Sequence, residues 1–377
     1  MDCIVIKLGT SSLTNADGSI DESKVAGVVA QVRELRDQNL NVVLIASGAI
    51  AVGLNHLGYN LEKINKRSVK IKKILSTCSG IGQPILFNKF KQSFGESSIN
   101  TAQVLLTAHS FFDREEYLHL RETISAMLEN GVVPIINEND CVSSSSLRYG
   151  DNDLIAALTG HLISAKTLLL LTDVDGLYDG NPFNIDAKLV EEIDFLTNDF
   201  LKMVSTSSSS SRGSGGMEGK LKAAKIASWS NLITIIANSF EENIILKAVL
   251  DQNVGTTVLP QKEVLSSKKL WIGFVQNSVG KVTIDPGAEK AVLGGKSSLL
   301  FAGVKSVEGD FVKGDGIEVA NSEGKVIAKG LSDCAFSEKD FKNKEKLIKR
   351  NKIVIRKDYL VILPSSKDQT QLSRREG

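Results

Sequence analysis

Apolar positions along this chain fall into two alternating kinds of segment. Short runs dominated by β-branched and aliphatic residues at 4–8, 42–46, 132–136 and 167–171 show no polar alternation, the pattern of interior parallel strands covered on both faces. Between them, Val25, Val28, Val29, Val32 and Leu35 within residues 23–39 carry the spacing of an amphipathic helix. Further helices are predicted over 50–57, 71–94, 117–129 and 221–229, and a strand over 101–106. Pro84 is expected to start, kink or break its segment. Repeated strand, loop and helix units imply a parallel sheet clothed by helices, with ligands received at the strands' carboxyl ends. Past Gly280 the pattern changes to short β-branched runs at 281–284, 317–320 and 353–355 separated by glycine turns, which read as a smaller, strand-rich module.

A length of 377 residues is too great for one ordinary core, so two domains are expected. Charge divides the same way. Residues 262–377 hold 22 Lys and Arg against 15 Asp and Glu, a net of +7, which leaves −6 for the remainder of a chain whose total is +1. With 42% hydrophobic and 24% charged residues the composition is that of a globular protein. No apolar run approaches the roughly 20 residues that span a bilayer, and no cationic then apolar leader opens the chain, so a cytoplasmic protein without a membrane partner is expected. Cys3, Cys78, Cys141 and Cys334 form no CxxC pair and the four histidines no HExxH, which suggests neither a disulfide framework nor a zinc site.

Candidate chemistry gathers where strands end. Lys7 interrupts the first apolar run. A lysine desolvated there would lack a partner, so its ammonium is expected to point out of the strand's carboxyl end toward an anion; by itself the stretch also reads as a strand with a snorkelling lysine and an ordinary polar turn. Gly9, Thr10, Ser11 and Ser12 follow, a loop whose backbone can approach a ligand closely. Ser47 and Gly48 stand between a strand and a helix, where amides and the helix dipole favour a carboxylate or phosphate; by itself this is also an ordinary N-cap. The run after residue 136 delivers Asn137, Glu138, Asn139 and Asp140, then a serine-rich stretch over 141–149 expected as a mobile loop, then Gly150-Asp151-Asn152-Asp153. Carboxylates converging near an anion site are costly unless something cationic is held among them, and a substrate ammonium would satisfy them. Thr172-Asp173 opens another polar turn at a strand end. After a low-complexity serine tract at 205–211, Ser214-Gly215-Gly216-Met217-Glu218-Gly219-Lys220 leads into a helix. That segment falls short of a Walker P-loop, because Ser214 stands where the first glycine belongs and Leu221 where the Ser or Thr belongs.

Six stretches together, IKLGTSSL (6–13), ASGAIAVGLNHLGY (46–59), VVPIINEND (132–140), GDND (150–153), LLLLTDVDGLY (168–178) and GGMEGK (215–220), resemble the amino-acid kinase family in its own order. The closest resemblance is to members that phosphorylate the side-chain carboxylate of L-glutamate. This implies an α/β fold, a three-layer α/β/α sandwich with a mainly parallel central sheet, over 1–260. A linker at 261–278, a PUA-like β-rich domain at 279–357 and a tail at 358–377 are expected to follow. The resemblance also implies ATP and Mg²⁺ as cofactors, with Lys7, Lys220 and Asp153 as the catalytic group and Asp153 holding both lysines. Ser47, Asp140, Asp151 and Asn152 would bind glutamate. Lys7, Gly9, Thr172, Asp173 and the loop from Ser214 through Gly215, Gly216, Met217, Glu218 and Gly219 to Lys220 would hold the nucleotide. No dedicated protein cage is expected for the metal. Also implied are the first step of proline synthesis, proline as a feedback inhibitor, a homo-oligomer (dimer or tetramer) and hand-over of product to a glutamyl-phosphate reductase. The chain departs from the pattern at Ser214 and Gly219, where threonine is common, and at Asn181-Pro182, where Asp-Pro is common.

A rival reading makes the basic second half an RNA-binding module or one associated with RNA modification. Acidic Glu338, Asp340 and Glu345 flank or interrupt the lysine-rich run at 339–357, and no aromatic stacking pattern accompanies it, so RNA is not the expected partner.

Overall fold

The computed structural model describes residues 2–59, 69–143, 152–180, 187–194, 216–251, 254–261, 264–335 and 352–363. Two compact units emerge, the first ending at Val264 and the second beginning at Leu265. The loop expected over 141–149 lies outside the described residues beyond Ser143, and the serine tract at 205–211 lies wholly outside them.

In the first unit the apolar runs become β1 (Cys3–Leu8), β2 (Asn41–Ala46), β3 (Thr101–Leu106), β4 (Val133–Glu138), β5 (Thr167–Thr172), β6 (Glu192–Ile193), β7 (Ile233–Asn238) and β8 (Thr256–Val258). They form one sheet in the order β3-β4-β2-β1-β5-β7-β8-β6, parallel except where β8 runs against β7. Strand β1 sits between β2, with Cys3 opposite Asn41, and β5, with Ile4 opposite Thr167. All six β1 positions are buried, Lys7 among them, as befits a largely apolar strand with helices on both faces.

Alternation of side chains about the pleat divides the core. Ile4, Ile6 and Leu8 of β1 join Leu44, Ile135 and Leu169 against α1 (Glu22–Asp37) and α3 (Val69–Gly95). Across the sheet, α5 (Asn152–Leu162) packs on β1, β2, β4 and β5 and against α6 (Met217–Ser228). The result is a three-layer α/β/α sandwich. Helix α1 starts where Asp21 accepts from the amides of Ser23 and Lys24, and α4 (Arg114–Glu129) starts where Asp113 does the same for Glu115 and Glu116.

Of the outcomes expected at Pro84, helix α3 shows neither a start nor a break, since it continues through that residue. Tertiary packing outweighs the local penalty of about 3 kcal/mol for a proline inside a helix. That packing is close. A Cβ on Gly53 of α2 (Ala49–His56) would stand 1.8 Å from the carbonyl oxygen of Cys78, and one on Gly82 would stand 1.9 Å from that of Ala49. Leu86, Phe90 and Phe94, all fully buried, extend the same helix into the core.

The second unit is a six-stranded sheet in the order β10-β14-β13-β12-β9-β11. Its strands are β9 (Ser278–Ile284), β10 (Leu299–Leu300), β11 (Val304–Glu308), β12 (Gly316–Ala320), β13 (Val326–Ser332) and β14 (Ile353–Ile362), antiparallel apart from the β9–β12 pair. Ile284, Phe301, Ile317 and Ile355 centre its core under α7 (Pro286–Leu293). Part of the segment expected as a linker is helical here, at Ser267–Leu270 and Trp271–Val275. Strand β14 continues past residue 357 because Leu360 and Val361 are still core residues.

Candidate active site

The carboxyl ends of β1, β2, β4 and β5 and the first turns of α2, α5 and α6 meet at one place in the first unit. Strand β1 brings Lys7, α5 brings Asp153 and α6 brings Lys220. Lys7 Nζ lies 2.8 Å from Asp153 Oδ1, and Lys220 Nζ donates to Asp153 Oδ2 at 3.1 Å. Asp153 is completely buried, with Lys7 and Lys220 exposed by 5% and 7%. Burial opposes ionisation of Asp153 most strongly, yet the charges and hydrogen bonds of the two lysines outweigh it and hold the carboxyl below its usual range. Two ammonium groups on one carboxylate leave the cluster at +1, a fixed excess of positive charge suited to an anion. Lys7 therefore does not reach out of the strand alone. Its partner is internal, and Asp153 is committed to the lysines instead of to a substrate ammonium.

Beside this charged corner lies a neutral one. Asn152 Nδ2 donates to Ser47 Oγ at 2.9 Å and to Asn137 Oδ1 at 2.8 Å. Asn137 Oδ1 also accepts from the Glu138 amide at 2.8 Å, and Asn137 Nδ2 donates to Gln83 Oε1 of α3 at 2.6 Å. One turn back along α3, the Ser79 hydroxyl donates to Asp140 Oδ2 at 2.7 Å. Burial pushes the Asp140 carboxyl up from its ordinary range, and the Ser79 hydroxyl draws it partly back. Gly48, with φ of 113°, occupies the left-handed region that lets the chain turn from Ser47 into α2.

The structure thus gathers Lys7, Lys220 and Asp153 in one cluster, and Ser47, Asn152 and Asn137 in an adjoining one. Gly9 precedes a short helical turn at Thr10–Ser12, where a Cβ would stand 3.5 Å from Ser12 Oγ. The buried Thr172 ends β5, and its hydroxyl donates to Asp173 Oδ1 at 3.2 Å. Gly216 precedes α6, Met217 and Gly219 lie in its first turn, and exposed Glu218 pairs with Lys222 at 2.7 Å. Asp151, Ser214, Gly215 and the Asn181-Pro182 departure lie outside the described residues. Sequence reasoning assigned no role to Asn137 and overlooked Ser79 and Gln83. Their signal was present: both polar residues continue the Leu86, Phe90 and Phe94 stripe of α3 at helical spacing, and both are buried.

The model of the amino acid kinase family matches residues 2–238 and that of the PUA domain residues 280–353. This chain belongs to the amino acid kinase family. It is similar to Glutamate 5-kinase of Methanosarcina barkeri, 40% identical over 345 residues covering 89% of this chain and 88% of that one. Glutamate 5-kinase of Vibrio parahaemolyticus is 39% identical over 338 residues, with 89% and 87% covered. Among solved structures, carbamate kinase from Giardia lamblia bound to AMP-PNP shares the fold, at TM-score 0.50 and 16% identity, over 69% of this chain and 99% of that one.

Proposed function

We propose that this protein transfers the terminal phosphoryl group of ATP to the side-chain carboxylate of L-glutamate, forming L-glutamyl 5-phosphate. The observation that carries the proposal is the convergence of Lys7 and Lys220 on Asp153. A carboxylate is already ionised near neutral pH, so the nucleophile needs no general base. The obstacle is repulsion between two anions, and positioned cations lower it. Each ammonium has three donors, more than a single bond to Asp153 uses, so it can hold Asp153 and also turn toward phosphate oxygens. Asp153 fixes the distance between the lysines and is not itself the base.

Ser47, Asp140, Asp151 and Asn152 form the glutamate side of the proposal, the acidic pair matching the ammonium. Thr172, Asp173 and the loop 214–220 form the nucleotide side. Mg²⁺ enters as the counter-ion of ATP. Among the described residues no three His, Cys, Asp or Glu side chains converge, and both Asp153 oxygens face lysines, so its ligands would be phosphate oxygens and water. The similarity to glutamate 5-kinases supports a place at the first step of proline synthesis, with proline as feedback inhibitor, a homo-oligomeric assembly and a cytoplasmic setting. No helix among the described residues is long and apolar enough to cross a membrane. An acyl phosphate hydrolyses readily, which favours prompt delivery to a glutamyl-phosphate reductase.

The test is a panel of carboxylates with ATP, trapping acyl phosphate as hydroxamate. L-Glutamate is expected to support turnover and aspartate and acetylglutamate to fail. Turnover on either of those without dependence on L-glutamate overturns the substrate assignment.

A further inference from the structure

The amides beside Ser47 form a chain with a direction. Gln83 Oε1 accepts from Asn137 Nδ2, Asn137 Oδ1 accepts from Asn152 Nδ2, and the second hydrogen of Asn152 Nδ2 goes to Ser47 Oγ. Asn137 is saturated as an acceptor, since its two lone pairs also meet the Glu138 amide. Ser47, having accepted, keeps its own O–H to donate. We infer that Gln83 is a positioning residue that supports the direction which the Glu138 N–H sets at Asn137 Oδ1 and Asn152 Oδ1, and so helps keep Ser47 a hydrogen-bond donor toward a substrate carboxylate. The inference rests on the glutamate reading proposed above.

The physical reason lies at the buried end. Gln83 and Asn137 are exposed by only 7% and 3%, so water does not readily replace either partner. Without the Gln83 oxygen, the buried Asn137 Nδ2 loses its acceptor, and only the bonds at Asn137 Oδ1, from the Glu138 N–H and Asn152 Nδ2, hold the amide against rotation by half a turn. Rotated, it would set N–H₂ against the Glu138 N–H and the Asn152 N–H₂, donor against donor. Asn152 would then be drawn to turn, giving up the bond its Oδ1 accepts from the Glu138 N–H at 3.2 Å, and to present its carbonyl to Ser47, whose hydroxyl would donate inward and leave lone pairs facing the substrate. A carboxylate meets repulsion there. Gln83 can occupy this place because Gly53 and Gly82 bring α2 and α3 into backbone contact, which sets α3 close beside the end of β4.

The experiment compares Gln83→Met, similar in shape but without the acceptor, with Gln83→Glu, which keeps an oxygen toward Asn137. Gln83→Met is expected to raise KM for L-glutamate about tenfold, the size of one lost buried hydrogen bond, with KM for ATP within about twofold. Gln83→Glu is expected to hold the glutamate KM within about threefold of the parent. If Gln83→Met does not fold, as judged by circular dichroism and thermal melting, Gln83→Leu carries the same comparison. An unchanged glutamate KM in the apolar variant, a parallel rise in both KM values, or equal impairment of Gln83→Glu overturns the inference. If the parent protein itself shows no dependence on L-glutamate, it is the reading of function that fails.

Discussion

The two corners of the candidate site are built by different forces. At the β1, α5 and α6 corner, three charged side chains are taken out of water and held by Coulomb attraction, which is strong there and weakly directional. At the β2, β4 and α3 corner, neutral amides and hydroxyls exchange directed hydrogen bonds, each weaker but with a fixed donor and acceptor sense. Under the proposed function, phosphate, which changes shape and charge along the reaction, would meet two cations held in place by Asp153, and an amino acid, which has to be told from its relatives, would meet a pattern of donors and acceptors. The difference implies that damage at the first corner is read mainly in rate and stability, and damage at the second mainly in substrate KM.

The sharpest break in that comparison is Asp153→Asn. It leaves two buried lysines facing each other, and removing one partner of a buried ion group costs about 3–5 kcal/mol. Urea unfolding should show that loss near neutral pH, together with near-complete loss of activity. The pH dependence has a definite sign. Asp153 is depressed in the folded state, so its stabilisation is fully present above the ordinary carboxylate range near 4 and is lost as pH falls through its folded value. The variant should lack this acid-sensitive component, and an identical acid profile would contradict the ion cluster.

Lys220→Ala comes next. Losing one charge-stabilising group should lower kcat on the order of a hundredfold, with a smaller change in KM for glutamate. Full activity would remove the proposed clamp.

Gly82→Ala probes the other corner through its support. The added methyl meets the Ala49 carbonyl, so α3 must move, at a cost of about 1–3 kcal/mol. Thermal melting should register the loss. The glutamate KM should rise further than the ATP KM, because α3 carries Ser79 and Gln83 but no residue of the charged cluster; equal rises would erase the distinction between the corners.

The smallest effect is expected of Ser79→Ala. Its hydroxyl stabilises ionised Asp140, whose carboxyl already lies above the ordinary range through burial. If ionised Asp140 holds the substrate ammonium, kcat/KM for glutamate falls as pH drops through its pKa. Removing the hydroxyl should move that acid limb to higher pH and leave the plateau near the parent value. A limb that stays in place, or moves to lower pH, would separate Asp140 from ammonium binding.

Much of this was legible before any coordinates. The apolar run at β1 read as a buried strand, and Lys7 inside it pointed to an anion or to a snorkelling side chain. The motifs that resemble the amino-acid kinase family placed Asp153 between two lysines, which spacing alone does not reveal. What could not be read was allegiance among polar residues. By residue type and spacing the aspartates near residue 150 looked equally suited to an ammonium; the family resemblance assigned Asp153 to the two lysines, and the fold brings them to it from 146 and 67 residues away along the chain. Pro84 read as a helix breaker because propensity is local, whereas contact of α3 with α2 is not. Gln83 was passed over since a polar residue in a helix is most often solvated.

The sequence by itself determined which segments are strands or helices, which faces they bury and what chemistry their ends carry, because side-chain period and backbone preference act within a few residues. Tertiary structure alone decided that Gln83 meets Asn137 and that Ser79 meets Asp140, and it set the distances at which Asp153, which the family resemblance had paired with both lysines, serves the two ammonium groups. Those partners stand 54 or more residues apart in the chain. Their pairing depends on the crossing of packed helices and on strand order in the sheet, and these are settled by burial of the whole core and not by any single segment.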